Sequence, residues 1–192
     1  MQLAKDKDGT TDTALMLAYR AGNTSAFDEL YHRHRAPLYR YVLNSCDGEA
    51  IAAELFQDIW TRVIDARHGY TESAPFQAWL YRIARNRLID FYRANNKHSD
   101  TKELTENIEP QITQLQTPLQ PDEIAELAAR KDVLETALTA LPSDQREVVL
   151  LRHIAGFGVQ EIALLIDENA ETVKSRLRYA FTKLRKHMRT LI

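Results

Sequence analysis

The side chains best suited to metal ligation or nucleophilic work are six histidines and one cysteine, and their placement argues against both. His32 and His34 stand two residues apart, which on a helix points them about 200° from each other, so they cannot share a metal. The other histidines are scattered. Cys46 can form no internal disulfide and has no second Cys for a zinc site; at a helix end it reads as a small buried hydrophobe. No Gly-rich phosphate loop, nucleophile elbow or HExxH occurs. The sequence therefore predicts no catalytic residue, no metal and no cofactor. What remains is recognition chemistry. Lys174, Arg176, Arg178, Lys183, Arg185, Lys186 and Arg189 follow one another with no acid among them. Such a run offers phosphate anchors and base-edge donors, and it matters more than the formal net charge of −2.

These residues need a helix that presents them. From Gly158 to Met188 the apolar positions Val159, Ile162, Ala163 and Ile166 give one helical stripe. Val173, Leu177, Ala180, Phe181, Leu184 and Met188 give another, with Asp167, Glu168 and Asn169 between. This is a helix-turn-helix pattern, whose second helix reads the DNA major groove. With Val173 and Leu177 inward, Glu171, Thr172, Ser175, Arg178, Tyr179 and Thr182 project outward, flanked by Lys174 and Arg176. Arg and Ser suit base edges, and the flanking cations suit phosphates. A second basic face, Arg82, Arg85, Asn86 and Arg93, lies on the helix written FQAWLYRIARNRLIDFYRANNKH, near Tyr70 in the preceding loop. Basic residues beside aromatics suit unpaired bases.

The rest of the chain follows the same helical logic. Hydrophobic content of 44% and charged content of 27% describe an ordinary globular protein. No apolar run approaches the ~20 residues of a membrane span, and the polar start MQLAKDKDGTTD is unlike a signal peptide. A cytoplasmic protein without membrane insertion is expected. Residues 1–11 read as disordered. Helices are expected from about Asp12 to Ala21, then through Phe27, Leu30, Tyr31, Leu38 and Tyr41, with a cap among Asn23, Thr24 and Ser25. Ser25 and Asp28 are spaced as a capping box, and Pro37 predicts a kink or break. Ala52, Leu55, Phe56, Ile59, Trp60 and Val63 form an apolar face opposite Glu54, Asp58, Thr61 and Asp65, which by composition alone is a solvated surface. Arg87 either snorkels or pairs with Asp90. Residues 98–121, with Pro110, Pro118 and Pro121, read as a linker too long for the inside of a compact domain. A helix from about Asp122 to Ala140 opens the second part, and Ser143 is placed as the N-cap of DQREVVLLRHIAGF. The fold class is all-α: two small helical domains, 12–97 and 122–192, joined by a flexible linker.

Together, WLYRIARNRLID and TVKSRLRYA, in that order and across that linker, resemble bacterial RNA polymerase sigma factors of the extracytoplasmic-function (ECF) group over about Asp12 to Arg189. The resemblance implies a region 2-like domain (12–97) and a region 4-like domain (122–192). It implies a protein that binds core RNA polymerase, at the β′ clamp helices and β flap, and directs it to promoter DNA, reading a −35 element as duplex and a −10 element as melted strand. By the same resemblance Glu54, Asp58, Thr61, Arg62 and Asp65 face the polymerase. Tyr70, Thr71 and Glu72, with Arg82, Arg85, Asn86 and Arg93, face the −10 element, where a captured base must be unstacked. Glu171, Thr172, Lys174, Ser175, Arg176, Arg178 and Tyr179 face the −35 element. An anti-sigma factor is implied as a further partner. The chain departs from the family at Asp167 and Glu171, where Gly is common, at Glu168, where an apolar residue is common, and at Tyr179, where a basic residue is commoner. The alternative reading is a dimeric helix-turn-helix regulator acting without core polymerase.

Overall fold

The computed structural model describes residues 10–97, 133–134 and 136–191, with side chains described to Asn95 and from Val133 to His187. The expected N-terminal disorder (apart from Thr10 and Thr11) and the linker 98–121 lie outside them. The chain divides into two compact units, Met1–Lys102 and Glu103–Ile192. The described elements are helical, with no strand among them.

The first unit holds α1 (Asp12–Arg20), α2 (Thr24–Leu43), α3 (Glu49–Asp65), a 3-10 turn (Ala66–Gly69) and α4 (Phe76–Lys97). Thr11 caps α1 by accepting from the Ala14 N–H, and Asn23 caps α2 by accepting from Ala26 N–H. Asn23 leaves Ser25 inside the helix, so the expected Ser25–Asp28 box does not form. The break expected at Pro37 is also absent, since α2 runs unbroken through it. Leu30, His34, Leu38 and Tyr41 all lie buried along one face of α2. Burying a leucine such as Leu30 or Leu38 stabilises by about 1.5–3 kcal/mol each, enough together to outweigh the lost proline hydrogen bond. The apolar face of α3 packs as expected, with Ala52, Leu55, Ile59, Trp60 and Val63 buried. Arg87 of α4 neither snorkels nor pairs with Asp90. It donates to Asp58 of α3, while Arg62 spans Asp58 (3.7 Å) and Asp90 (3.5 Å). Helical periodicity finds partners on one helix and is blind to those on the next.

The second unit holds α5 (Ser143–His153), α6 (Val159–Ile166) and α7 (Ala170–Leu191), preceded by helical residues at 136–139. The rest of the helix expected from Asp122 lies largely outside the described residues. Ser143 does not cap α5: it is the first helical residue, and the Pro142 carbonyl accepts from Gln145 and Arg146 instead. After α5 the chain reverses at Gly156, whose φ of +77° suits glycine, and the Phe157 N–H returns to Leu151 O at 3.1 Å. Val148, Leu150, Leu151, Phe157, Ile162, Ile166, Val173, Leu177 and Ala180 form the core that holds α5, α6 and α7 together.

Candidate nucleic-acid interface

In the second unit, the turn between α6 and α7 is built by two residues. Asp167 takes the left-handed conformation (φ 58°, ψ 50°), and the Glu168 N–H closes back on Ala163 O at 3.0 Å. Asn169 then starts α7, its side-chain oxygen accepting from the Thr172 N–H at 2.7 Å. Asp tolerates a positive φ better than most residues because its short polar side chain can bond locally, which is how the turn forms without glycine. Val173 and Leu177 point inward as the sequence predicts.

The outward face of α7 separates into two kinds of residue. Glu171, Lys174, Arg178 and Tyr179 are exposed, and Thr172 and Ser175 are half-buried. The Lys174 ammonium donates to Glu171 at 2.7 Å, so the acid at the helix start partly neutralises its neighbour. The Arg178 guanidinium stands 5.1 Å from the centre of the Tyr179 ring, a stacked arrangement that narrows where it can point. Arg176 behaves differently. It is ion-paired with Asp144 of α5 at 3.2 Å and with Glu168 of the turn at 2.8 Å, its side chain 23% exposed. The expected phosphate anchor is thus a brace that ties α7 to α5 and the turn.

In the first unit, the 3-10 turn leads into Tyr70, and a short loop runs from there to α4. Tyr70 is fully buried against Trp79 (5.2 Å between ring centres) and Phe76 (6.3 Å), with its hydroxyl donating to Ala74 O at 3.1 Å. Burial pushes its phenol above the ordinary tyrosine range, with a smaller opposing effect from the hydrogen bond to Thr13. It therefore cannot offer its ring to a base, as the sequence reading supposed; it anchors the loop from beneath. Thr71, Glu72 and Ser73 are exposed, with the Thr71 and Ser73 hydroxyls 2.8 Å apart. Across the start of the loop, Arg20 of α1 donates to the Tyr70 carbonyl at 2.7 Å. No sequence signal pointed to Arg20, because its partner is fifty residues away and neither belongs to a periodic pattern. On α4, Arg82, Asn86 and Arg93 are exposed and Arg85 is half-buried, so the four lie on the side away from Leu80, Ala84 and Leu88.

On α3, Glu54, Thr61 and Asp65 are exposed, and the Thr61 hydroxyl donates back to Gln57 O. Asp58 and Arg62 are committed to the ion-pair network with Arg87 and Asp90. The acidic face is thus continuous with a structural junction between α3 and α4. Cys46 is buried, its thiol donating to Val42 O, and burial, followed by the charge of Asp47, pushes its pKa up to about 11. The thiol stays protonated and is a poor nucleophile. Among the described residues no three His, Cys, Asp or Glu side chains gather as a metal site, and no helix is long and apolar enough to cross a membrane.

Residues 30–98 match the model of Sigma-70 region 2, and residues 131–184 match that of Sigma-70, region 4. The ECF RNA polymerase sigma factor SigL of Mycobacterium tuberculosis is 30% identical over 168 residues, covering 86% of this chain and 90% of SigL. SigX of Bacillus subtilis, also an ECF RNA polymerase sigma factor, is 28% identical over 165 residues, 86% of this chain and 84% of SigX. Two solved structures share the fold. CnrH, in complex with the cytosolic domain of CnrY, has a TM-score of 0.68 at 24% identity, covering 93% of this chain and 97% of that one. RpoE of Bartonella quintana, in complex with the anti-sigma factor NepR, has a TM-score of 0.68 at 21% identity, covering 85% of this chain and 96% of that one.

Proposed function

The chain belongs to the ECF RNA polymerase sigma factors, whose work is promoter-specific transcription initiation with RNA polymerase, and from that premise we propose how the labour is divided along it. The second unit reads a −35 element as duplex. Arg178, Ser175 and Thr172 meet base edges, Lys174 and Tyr179 flank them, and Glu171 biases the preference by repelling phosphate near the helix start. Arg176 serves this reading indirectly, by fixing the angle of α7. The first unit takes the −10 element as melted strand. The exposed loop residues Thr71 and Glu72 and the polar face of α4 (Arg82, Arg85, Asn86, Arg93) receive it, with Tyr70 holding the loop. Glu54, Thr61 and Asp65 dock on the β′ clamp helices of core polymerase, with Asp58 and Arg62 shaping that face, and the second unit meets the β flap. The chain contributes recognition, and bond-making stays with the polymerase. The domain limits proposed are 12–97 and 122–192. An anti-sigma factor is a proposed partner, supported by the partner-bound states of the two structures that share the fold.

The observation that carries this reading is the geometry of α7. Arg178 and Tyr179 are exposed on a helix whose opposite side is locked into a core and whose first turn is capped at Asn169. The test is run-off transcription with core polymerase on templates randomised across both promoter elements, followed by sequencing of the productive templates. Enrichment of two separated motifs is expected. A single palindromic motif bound without polymerase would return the chain to the rival reading.

A further inference from the structure

Helix α1 precedes the stretch that matches Sigma-70 region 2, which begins at residue 30. It packs mainly on α2, and its remaining side-chain contacts reach the 3-10 turn and the loop after it. Arg20 donates to Tyr70 O at 2.7 Å, and the Tyr70 hydroxyl reaches both Thr13 (3.4 Å) and Ala74 O (3.1 Å). The Arg67 guanidinium of the turn lies 6.0 Å from the centre of the Tyr19 ring. The other end of α1 is itself fastened, since Asp12 meets His34 Nε2 at 2.7 Å and Arg33 at 3.0 Å, both on α2. One short helix, tied down at its start, thus grips the start of the loop at Thr13 and Arg20 and the turn before it at Tyr19. The charged donor falls on the carbonyl immediately before the exposed Thr71.

We propose that α1 is a brace for the −10 loop, and that Arg20 is a positioning residue which, through the Tyr70 carbonyl, holds Thr71 and Glu72 in the conformation that meets the melted strand. This rests on the reading of that loop as a −10 contact. A loop held before binding loses less conformational freedom when the strand arrives, so the brace strengthens capture without touching DNA. It also sharpens selectivity, because a loose loop adapts to wrong bases and a fixed one does not.

The experiment compares Arg20→Ala, Arg20→Lys, Thr13→Val, Glu72→Ala and Thr71→Ala in the full chain. Amide exchange of residues 70–74 is measured in the free protein. Base preference at the −10 and −35 segments is then measured with core polymerase on randomised templates. In Arg20→Ala, exchange in the loop accelerates and −10 preference falls about tenfold, as for one charge-assisted hydrogen bond, while −35 preference holds. Lys at position 20 restores part of both, being a cation with a shorter reach, and Thr13→Val gives a smaller effect of the same kind. If Arg20→Ala keeps full −10 preference while Glu72→Ala or Thr71→Ala alters it, the brace is overturned and the loop reading survives. If all of these leave −10 preference intact, the loop reading has failed and the brace falls with it. Circular dichroism of each variant separates these outcomes from unfolding, and if Arg20→Ala unfolds, Thr13→Val carries the comparison.

Discussion

Arg178 and Arg176 sit two residues apart on one basic helix, and their surroundings give them different work. Arg178 is exposed and stacked on Tyr179; Arg176 is held between Asp144 and Glu168. Truncating a base-reading arginine removes about 1–3 kcal/mol of discrimination, so Arg178→Ala is expected to flatten preference within the −35 element while leaving the thermal midpoint near its starting value. Arg176→Ala is expected to do the reverse, lowering the melting temperature of the second unit because two carboxylates lose their shared partner. Melting followed by circular dichroism, paired with transcription on −35 variants, tells them apart; a lost −35 preference in Arg176→Ala without destabilisation would make it a DNA contact after all. Asp167 offers a cleaner test of the turn. Its positive φ costs a non-glycine residue about 1–2 kcal/mol, of which glycine recovers part and gives some back as unfolded-chain entropy. Asp167→Gly is therefore expected to leave stability unchanged or raise it by up to about 1 kcal/mol, and Asp167→Val to lower it. Denaturant midpoints measure both, and a large loss in Asp167→Gly would mean that the carboxylate itself holds the turn.

At the scale of elements, the interest lies in junctions. Asp58 looked from its sequence position like one more acid on a solvated face, yet it joins α3 to α4 through Arg87. Asp58→Arg would set three cations together there, so it destabilises the unit and tests polymerase docking poorly. Glu54→Arg is the sound probe: it is exposed on the same helix, and its reversal is expected to weaken holoenzyme assembly with helicity unchanged. Normal assembly of that variant would remove the acidic face from the interface. The α1–α2 junction turns on Asp12. Burial pushes its carboxyl up, but hydrogen bonds and charge from His34, then Arg33, outweigh that, and its pKa lies below the usual 3.8. Stability from this group is therefore full above pH ~4 and is lost as pH falls through the lowered folded value. Asp12→Asn should cost about 1–3 kcal/mol at neutral pH, with the gap to the parent chain closing below pH ~4; a pH-independent gap would assign the effect to shape rather than charge. These junctions also mark what the sequence could and could not tell. The buried apolar faces of α3 and α6, the inward Val173, Leu177, Ala180 and Leu184 of α7, and the exposed Arg178 follow from a 3.6-residue period, which records how one helix faces a core; Phe181, expected on the same stripe of α7, is exposed because it lies at the stripe's edge. The Arg87–Asp58, Arg176–Asp144 and Arg20–Tyr70 pairs join different elements and leave no periodic trace. The burial of Tyr70 is illegible for the same reason, since a loop has no period to say which way its aromatic points.

For the whole molecule, the question is why two small reading units should share one chain. A single helix-turn-helix module buries only about 600–1,000 Å² against DNA, and non-specific binding at physiological salt lies around 10⁻⁴–10⁻⁶ M. The formal charge of −2 makes this chain weaker still as a general polyanion binder, since its cations are concentrated on α7 and on one side of α4 while acids prevail elsewhere. Affinity for a promoter must then come from engaging several weak sites at once, where each contact raises the effective concentration of the next. On the division of labour proposed above, core polymerase presents those sites together and opens the strand that the first unit takes. The free chain is accordingly expected to bind duplex weakly, with affinity falling steeply as salt rises and little regard for sequence. Mixed with core polymerase, it should co-elute on gel filtration and acquire selectivity for both promoter segments. Mobility-shift titrations at two salt concentrations, with and without core polymerase, measure this directly. Tight, palindrome-specific binding by a dimer of the free chain would show that the two units need no polymerase to cooperate, and the division of labour proposed for them would then be wrong at its root.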